Sequence, residues 1–359
     1  MRILVICKAL DRPESFMLKG LHERGVTVYV LTTQSNVHSQ MLSQAGVAVS
    51  PFPFSSRLSL GAISSVRNFV REHSIDVVYA LSNAGLSASC LGLRRAKTPI
   101  VTYRGTVGHL SCWDPTSWLT FLNPRISRIV CVSQAVERYL VELGIPQKKV
   151  VTVYKGHDVA WYTDPPGSTR ADLGIPSDAY VVGCTALIRA VKGVDVLIRA
   201  CEQLLPRLPK LHLLLIGFIK DPKIRQMVAA FPDSSRLHLT GYRPDATSLA
   251  TLCDVTVMAS KSREGFPKAV VEGMAQGVPA IVTAVGGMPE LVGNGEAGLL
   301  VPPSNVDALA AAIERLASQP DHRRALAEAG RRRIVEVFNI DSTTQRMQAL
   351  FHSLASGQP

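Results

Sequence analysis

The chain has 359 residues, 47% of them hydrophobic and 19% charged, which excludes a disordered polypeptide and exceeds what one hydrophobic core usually serves, so two domains of about 150 residues or more are expected. Its seven cysteines (Cys7, Cys90, Cys112, Cys131, Cys184, Cys201 and Cys253) are widely spaced and never form a C-x-x-C pair, so they read as small core residues in a reducing compartment. The formal charge of +11 is uneven: residues 1–165 carry 18 Lys and Arg against 10 Asp and Glu, and the remainder carries 21 against 18.

The first apolar run, in MRILVICKALD, is interrupted by Lys8 and Asp11 with no small-residue cleavage site after it, so it reads as a strand and not as a signal peptide. The longest runs, such as LHLLLIGFI, fall short of the ~20 residues that span a bilayer. A cytoplasmic location is therefore expected, peripheral on the inner face of the membrane if the basic half meets acidic lipid. Further strands are predicted at VTVYVLT, DVVYAL, PIVTY, RIVCVS and KVVTVY in the first half, and at YVVGCT, HLLLIG, LHLTG, VTVMAS, PAIVTA and GLLV in the second. Each is followed by a helix-compatible stretch, the pattern of parallel sheets covered on both faces. The run WYTDPPGSTRADLGIP is dense in Pro, Gly, Ser and Asp and reads as an inter-domain linker.

The expected fold class is α/β: two Rossmann-like, doubly wound parallel-sheet domains facing a cleft. The boundaries are residues 1–165, 166–340, and a terminal helix in 341–359 that crosses back to the first domain. An excess of +8 on the first half suggests an anionic partner there, a membrane surface or an anionic acceptor, in preference to nucleic acid, for which no motif is present. In SRLSLGAISSVRNFVREHS, Leu60, Ile63, Val66 and Val70 fall at helical spacing with Arg57, Arg67 and Arg71 interleaved. That pattern fits a surface helix with a buried apolar face, or a helix lying on acidic lipid.

In open α/β sheets ligands bind beyond the carboxyl ends of the strands, and two stretches there carry chemistry. The first is SREGFPKAVVEGMAQGVPAIVTAVGGMPELV, in which Glu264 and Glu272 are separated by seven residues. Gly265, Phe266 and Pro267 open a helix with Lys268 between the two acids; its free amides and dipole would make an anion site. Glu272, among Val270, Val271, Met274 and Ala275, is either paired with a neighbouring cation or faces the hydroxyls of a ligand. The second is CTALIRAVKGVDVLIRA, where Arg189 and Lys192 lead into a helix and offer what a diphosphate needs, a planar fork and a point charge. No dinucleotide glycine fingerprint, P-loop or Asp-x-Asp occurs, so no metal is expected and cationic side chains must neutralise any diphosphate.

These two stretches resemble the family four retaining nucleotide-sugar glycosyltransferases (glycosyl transferases group 1) of GT-B architecture, with an E-x7-E signature followed by a glycine turn and Pro-Glu. The likeness extends more loosely through RIVCVSQAVERYL and VYKGHDVAWY. It implies transfer of a sugar, with retention, from a nucleotide-diphosphate-sugar bound by the second domain to a hydroxyl of a glycan or lipid-linked acceptor bound by the first, with no cofactor beyond the donor. By this resemblance Glu264 meets the donor sugar, with Gly265, Phe266, Pro267 and Lys268 beside the sugar or phosphate. Glu272 takes the ribose, and Lys192 joined by Arg189 balances the leaving diphosphate. His109 serves the acceptor side or is an ordinary loop histidine, and Arg104 at a strand exit positions a phosphate. His157 lies near the nucleotide as a hinge residue.

The sequence departs from the family pattern at Leu187, where an arginine is usual, and after the first strand, where a glycine pair is replaced by KALDRPES with Lys8, Arg12 and Ser15 as substitutes. Two other readings fit the same architecture, a nucleotide-sugar epimerase or hydrolase and a non-catalytic nucleotide-sugar-binding subunit.

Overall fold

The computed structural model describes residues 1–52, 56 and 58–357; Arg57 of the basic helix segment lies outside them. The chain divides into two units, residues 1–157 with 338–359, and residues 158–337.

In the first unit, strands β1 (Arg2–Cys7), β2 (Thr27–Thr32), β3 (Ala48–Pro51), β4 (Val77–Ala80), β5 (Ile100–Arg104), β6 (Arg128–Cys131) and β7 (Val150–Thr152) alternate with helices α1 (Arg12–Glu23), α2 (Val37–Gln44), α3 (Leu60–Glu72), α4 (Asn83–Gly92), α5 (Pro115–Trp118) and α6 (Gln134–Glu142). The seven strands form one sheet in the order β3-β2-β1-β4-β5-β6-β7, every pair parallel. Helices on both faces explain why Ile3, Leu4, Val5 and Ile6 are all fully buried rather than alternating. Polar caps start these helices: Ser59, Ser82 and Ser133 each accept a backbone N–H from the first turn. Helix α3 buries Ala62, Val66 and Val70, while Leu60 at its start is exposed.

The second unit repeats the plan with β8 (Tyr180–Thr185), α7 (Val194–Leu204), β9 (Leu211–Ile216), α8 (Pro222–Ala229), β10 (Leu237–Gly241), α9 (Ala246–Leu249), β11 (Val255–Met258), α10 (Lys268–Ala275), β12 (Ala280–Thr283), α11 (Met288–Leu291), β13 (Leu299–Val301), α12 (Val306–Ser318) and α13 (Pro320–Glu336). Its order is β10-β9-β8-β11-β12-β13, again parallel throughout. All six residues of β9 are buried, and α7 packs Val194, Leu197, Ile198 and Cys201 into the same core.

The last helix, α14 (Ile340–Ala355), belongs to the first unit and buries Met347 and Phe351 in its core. Its entry is tied to the end of the 150–157 segment: His157 N–H donates to Phe338 O at 2.6 Å and Ile340 N–H to His157 O at 3.0 Å. The Thr343 hydroxyl donates to Tyr154 O at 2.9 Å. Gly156 is needed there, because a methyl group would lie 2.6 Å from Asn339 O. The units thus divide after His157, ahead of the Pro- and Gly-rich run, which lies within the second unit.

Six cysteines are buried as unpaired thiols, with Cys112 exposed. Among the described residues no helix is long and apolar enough to cross a membrane.

Candidate functional site

In the second unit the strand order reverses between β8 and β11, so the loops leaving their carboxyl ends part to opposite sides and leave a crevice. The loop after β8 carries Arg189 and Lys192, and the loop after β11 carries Glu264. Two glycines, Gly193 in the first of these loops and Gly286 in the loop after β12, allow close packing against the second. Gly193 has φ +65° and lies so close to Ala259 O that no side chain fits. Gly286, at φ +56°, stands in the same relation to Glu264 O. Both need the left-handed backbone that glycine adopts freely. The seam is closed by Lys261 N–H donating to Val191 O at 2.8 Å and by Lys261 Nζ against Asp195 Oδ2 at 2.6 Å.

Across this seam Lys192 Nζ makes a short ion pair with Glu264 Oε1, and the buried Ser260 hydroxyl donates to the same oxygen at 2.7 Å. Ser260 is held in turn by Thr283 Oγ1, which donates to its carbonyl at 2.6 Å. Glu264 is buried and Lys192 half-buried, so each charge depends on the other for compensation. Ser260 and Asp195 are the members that sequence reasoning missed. Ser260 closes the strand run VTVMAS, and a hydroxyl leaving a strand four residues before an acid was the available signal.

The helix beyond Glu264 starts at Lys268, two residues later than the FPKAVVEGMAQ that the sequence suggests. Pro267 is its cap, in extended conformation, and no side chain caps it, leaving its first amides for a ligand. Gly265 and Pro267 are buried, Phe266 is half-buried and Lys268 exposed. Glu272 is 7% exposed, with Lys268 Nζ 3.2 Å from its Oε1 one turn back. The structure therefore provides the neighbouring cation that was one of the two readings of Glu272. Arg189 is exposed in extended conformation at the mouth of the turn. Leu187, in the position where the family carries arginine, is exposed, as is Phe218 on the adjoining segment.

The remaining candidates lie in the first unit. Arg104 is buried at the end of β5, its guanidinium 4.7 Å from the centre of the Phe121 ring. It donates to Thr106 O at 3.0 Å and to Gly108 O; the fork thus holds its own loop, and burial lowers its pKa. His109 is exposed at φ +64° directly after Gly108 at φ +87°.

After β1, where a glycine loop was missing, Asp11 and Glu14 form a reciprocal capping box at the start of α1. Lys155 Nζ lies 2.6 Å from Asp11 Oδ2 and 3.0 Å from Glu14 Oε1. Burial raises the Glu14 carboxyl; for Lys155 burial lowers the pKa, but Tyr103, Glu14 and Asp11 outweigh it and push the ammonium up. Sequence reasoning did not single out this cluster, although D-x-x-E after a strand signals a capped helix start. Of the substitutes proposed for the glycine pair, Lys8 is exposed and Ser15 is buried, its hydroxyl donating to Arg12 O at 2.8 Å. Among the described residues no three His, Cys, Asp or Glu side chains gather as a metal site.

The comparisons with known proteins agree with this division. The family described as Glycosyl transferases group 1 matches residues 167–333, and that described as Glycosyltransferase Family 4 matches residues 17–161. The chain is 28% identical over 244 residues to the D-inositol 3-phosphate glycosyltransferase of Corynebacterium urealyticum, covering 63% of this chain and 57% of that protein. It is 28% identical over 262 residues to the lipopolysaccharide core biosynthesis glycosyltransferase LpsE of Rhizobium meliloti, covering 72% and 74%. The chain thus spans about half to three quarters of the length of these relatives.

Among solved structures, Anabaena Alr3699/HepE in complex with UDP superposes with a TM-score of 0.82 at 22% identity, over 98% of this chain and 100% of that one. The same protein has also been solved with UDP-glucose. Two parallel-sheet α/β units of GT-B type, each matched by its own family description, identify the chain as a member of the group 1 glycosyltransferases.

Proposed function

We propose that this protein transfers a sugar from a nucleotide-diphosphate-sugar to a hydroxyl of a glycan or lipid-linked acceptor, with retention and without a metal ion. The observation that carries the reading is the Lys192–Glu264–Ser260 constellation at the crevice between β8 and β11, next to the uncapped start of α10. A diphosphate placed there meets an ammonium held ready by a buried carboxylate, together with backbone amides at a helix N-terminus. Glu264 then offers its second oxygen to sugar hydroxyls, and Glu272 accepts from the ribose. Arg189, exposed at the same mouth, adds a second cation to the leaving group.

Charge develops on the diphosphate as the anomeric C–O bond breaks, and Lys192 and the amides stabilise it without reorganising. Glu264, already occupied by a cation and a hydroxyl donor, is suited to positioning and not to nucleophilic attack. Retention then follows from front-face attack, the departing phosphate oxygen taking the acceptor's proton. The reading of a glycan or lipid-linked acceptor draws support from the name of one relative, a lipopolysaccharide core biosynthesis glycosyltransferase, and the basic first half suits an acidic acceptor or the cytoplasmic membrane face.

Calorimetric titration with UDP, GDP and ADP in chelator tests this. One nucleotide should bind, and Lys192→Ala and Glu272→Ala should each weaken it at least tenfold, the worth of about 1.4 kcal/mol. Binding unchanged by either substitution would refute the site. Free sugar released from a donor as fast without acceptor as with it would instead establish the hydrolase reading.

A further inference from the structure

The first unit carries a second feature, at the opposite end of its strands from Arg104 and His109. A hollow of about 990 Å³ lies where the end of α3 meets the end of α4, lined by Arg67, Arg71, Arg94 and Arg95 with Ile75 and Thr98. Ile75 and Thr98 lie two residues before β4 and β5, so the hollow sits at the amino ends of these strands, away from the edge where this fold binds its reactants. The close approach of the two helices is set by Gly92, where a methyl group would lie 2.7 Å from Ile63 O.

Carbonyl oxygens at a helix end oppose an anion, but here they are already satisfied. Arg67 Nε donates to Gly92 O at 3.2 Å. Arg125, reaching in from below, donates to Leu93 O at 3.0 Å, Ala96 O at 2.7 Å and Thr98 O at 2.6 Å. That leaves Arg71, Arg94 and Arg95 exposed around the hollow, with no carboxylate paired to them among the described residues. Compensation of a helix dipole accounts for Arg71, in the last turn of α3, but not for Arg94 and Arg95, which lie past the cap of α4. Burial and then the neighbouring Lys148, Arg125 and Arg128 lower the Lys149 pKa, and burial lowers that of Arg125.

We propose that this hollow is a binding site for a phosphate-bearing ligand, separate from the site of sugar transfer. Guanidinium forks at Arg71, Arg94 and Arg95 match the geometry of phosphate oxygens in a way a scatter of solvated charges would not. The volume is that of ordinary small-ligand sites. The phosphate can belong to a soluble ester or to the headgroup of a lipid, which would seat this end of the unit on a membrane.

The full chain is titrated with inorganic pyrophosphate by calorimetry, and sedimented with vesicles of phosphatidylcholine alone or mixed in equal parts with phosphatidylglycerol. Arg94→Gln/Arg95→Gln is compared with Arg331→Gln/Arg332→Gln on α13, a pair of equal charge elsewhere. Thermal midpoints, and binding of whichever of UDP, GDP and ADP the unsubstituted chain takes, serve as checks on folding. At about fivefold per cation near an acidic surface, the first variant should lose roughly 25-fold in affinity and the second should not. Sedimentation only with acidic vesicles assigns a lipid headgroup, and pyrophosphate binding without vesicle preference assigns a soluble phosphate. An equal loss in both variants, no loss in the first, or no binding of either probe overturns the proposal.

Discussion

Replacing Lys192 by Met tests whether the seam between the two loops is an electrostatic unit. The substitution keeps the apolar stem and removes the ammonium, leaving Glu264, whose side chain is only 10% exposed, without its cation. Breaking a buried pair from one side costs about 3–5 kcal/mol. The Ser260 hydroxyl at 2.7 Å still satisfies one oxygen, and residual exposure allows some hydration, so about 2–4 kcal/mol is expected. At roughly 2–4 °C per kcal/mol for a domain of this size, the transition of the second unit should fall by about 4–16 °C. Adding Glu264→Gln removes the orphaned charge, and the double variant should recover more than half of the loss while still failing to bind nucleotide. Differential scanning calorimetry on wild type, both single variants and the double variant closes the cycle. A Lys192→Met midpoint within about 2 °C of wild type, or a double variant no more stable than that single one, would show that the pair is solvated and that the argument from burial is wrong.

Gly193→Ala should be costlier than an ordinary glycine substitution, because the backbone is left-handed and the methyl group meets Ala259 O; a thermal midpoint unchanged from wild type would mean that the two loops are not held in register by this contact. The His212 and His238 rings, stacked with Nδ1 and Nε2 2.9 Å apart, supply an acid-sensitive element. Burial, followed for His212 by His238 and Arg236, lowers both pKa values, with Asp233 and Asp178 opposing at His212 and a Leu173 backbone hydrogen bond opposing at His238. The unfolded chain therefore binds more protons below about pH 6.5. Stability is fully present above that value and is lost as the pH falls through it toward the lower folded-state pKa values. A variant with Gln at both positions should show a smaller fall in thermal midpoint from pH 7.5 to 5.5, and an identical fall would refute the assignment.

Most of the fold was legible because parallel strands buried on both faces must be apolar throughout, and runs such as RILVIC and HLLLIG have no other use in a globular chain. The strand missed, β3, reads AVSP, with three of its four residues exposed. An edge strand needs no apolar run and tolerates proline. The division after His157 was placed too late because composition marks loops and not boundaries. What fixes His157 is its bonding to Phe338 and Ile340, residues far away in the chain. At the site, the positions of Glu264, Glu272 and Lys192 beyond strands were readable from spacing. Their partnerships were not: Lys192 and Glu264 are 72 positions apart in the chain, and only the strand order brings them to one crevice. Arg104 shows the converse, since the sequence supplies a cation at a strand exit and only the folded loop reveals which carbonyls occupy it.

The contrast between the two crevices bears on the proposal that the second unit, and not the first, holds the diphosphate. In the first unit the reversal of strand order falls between β1 and β4, and the helix there, α1, has its leading amides engaged by Asp11 and Glu14 in a capping box. Lys155 is already paired with both carboxylates, so a phosphate approaching that helix start would find the capped amide engaged and the lysine occupied. In the second unit the helix start at α10 is uncapped, and the adjoining loop carries Lys192 balanced by a single acid. Removing one glycine loop from such a fold is tolerable only if the other unit supplies the amides and the cation unaided, and the second unit has both. The same reasoning makes Lys155 a structural residue. Its loss would leave Asp11 and Glu14 facing each other half-buried and destabilise the first unit, without touching Lys192, Glu264 and Ser260 of the second.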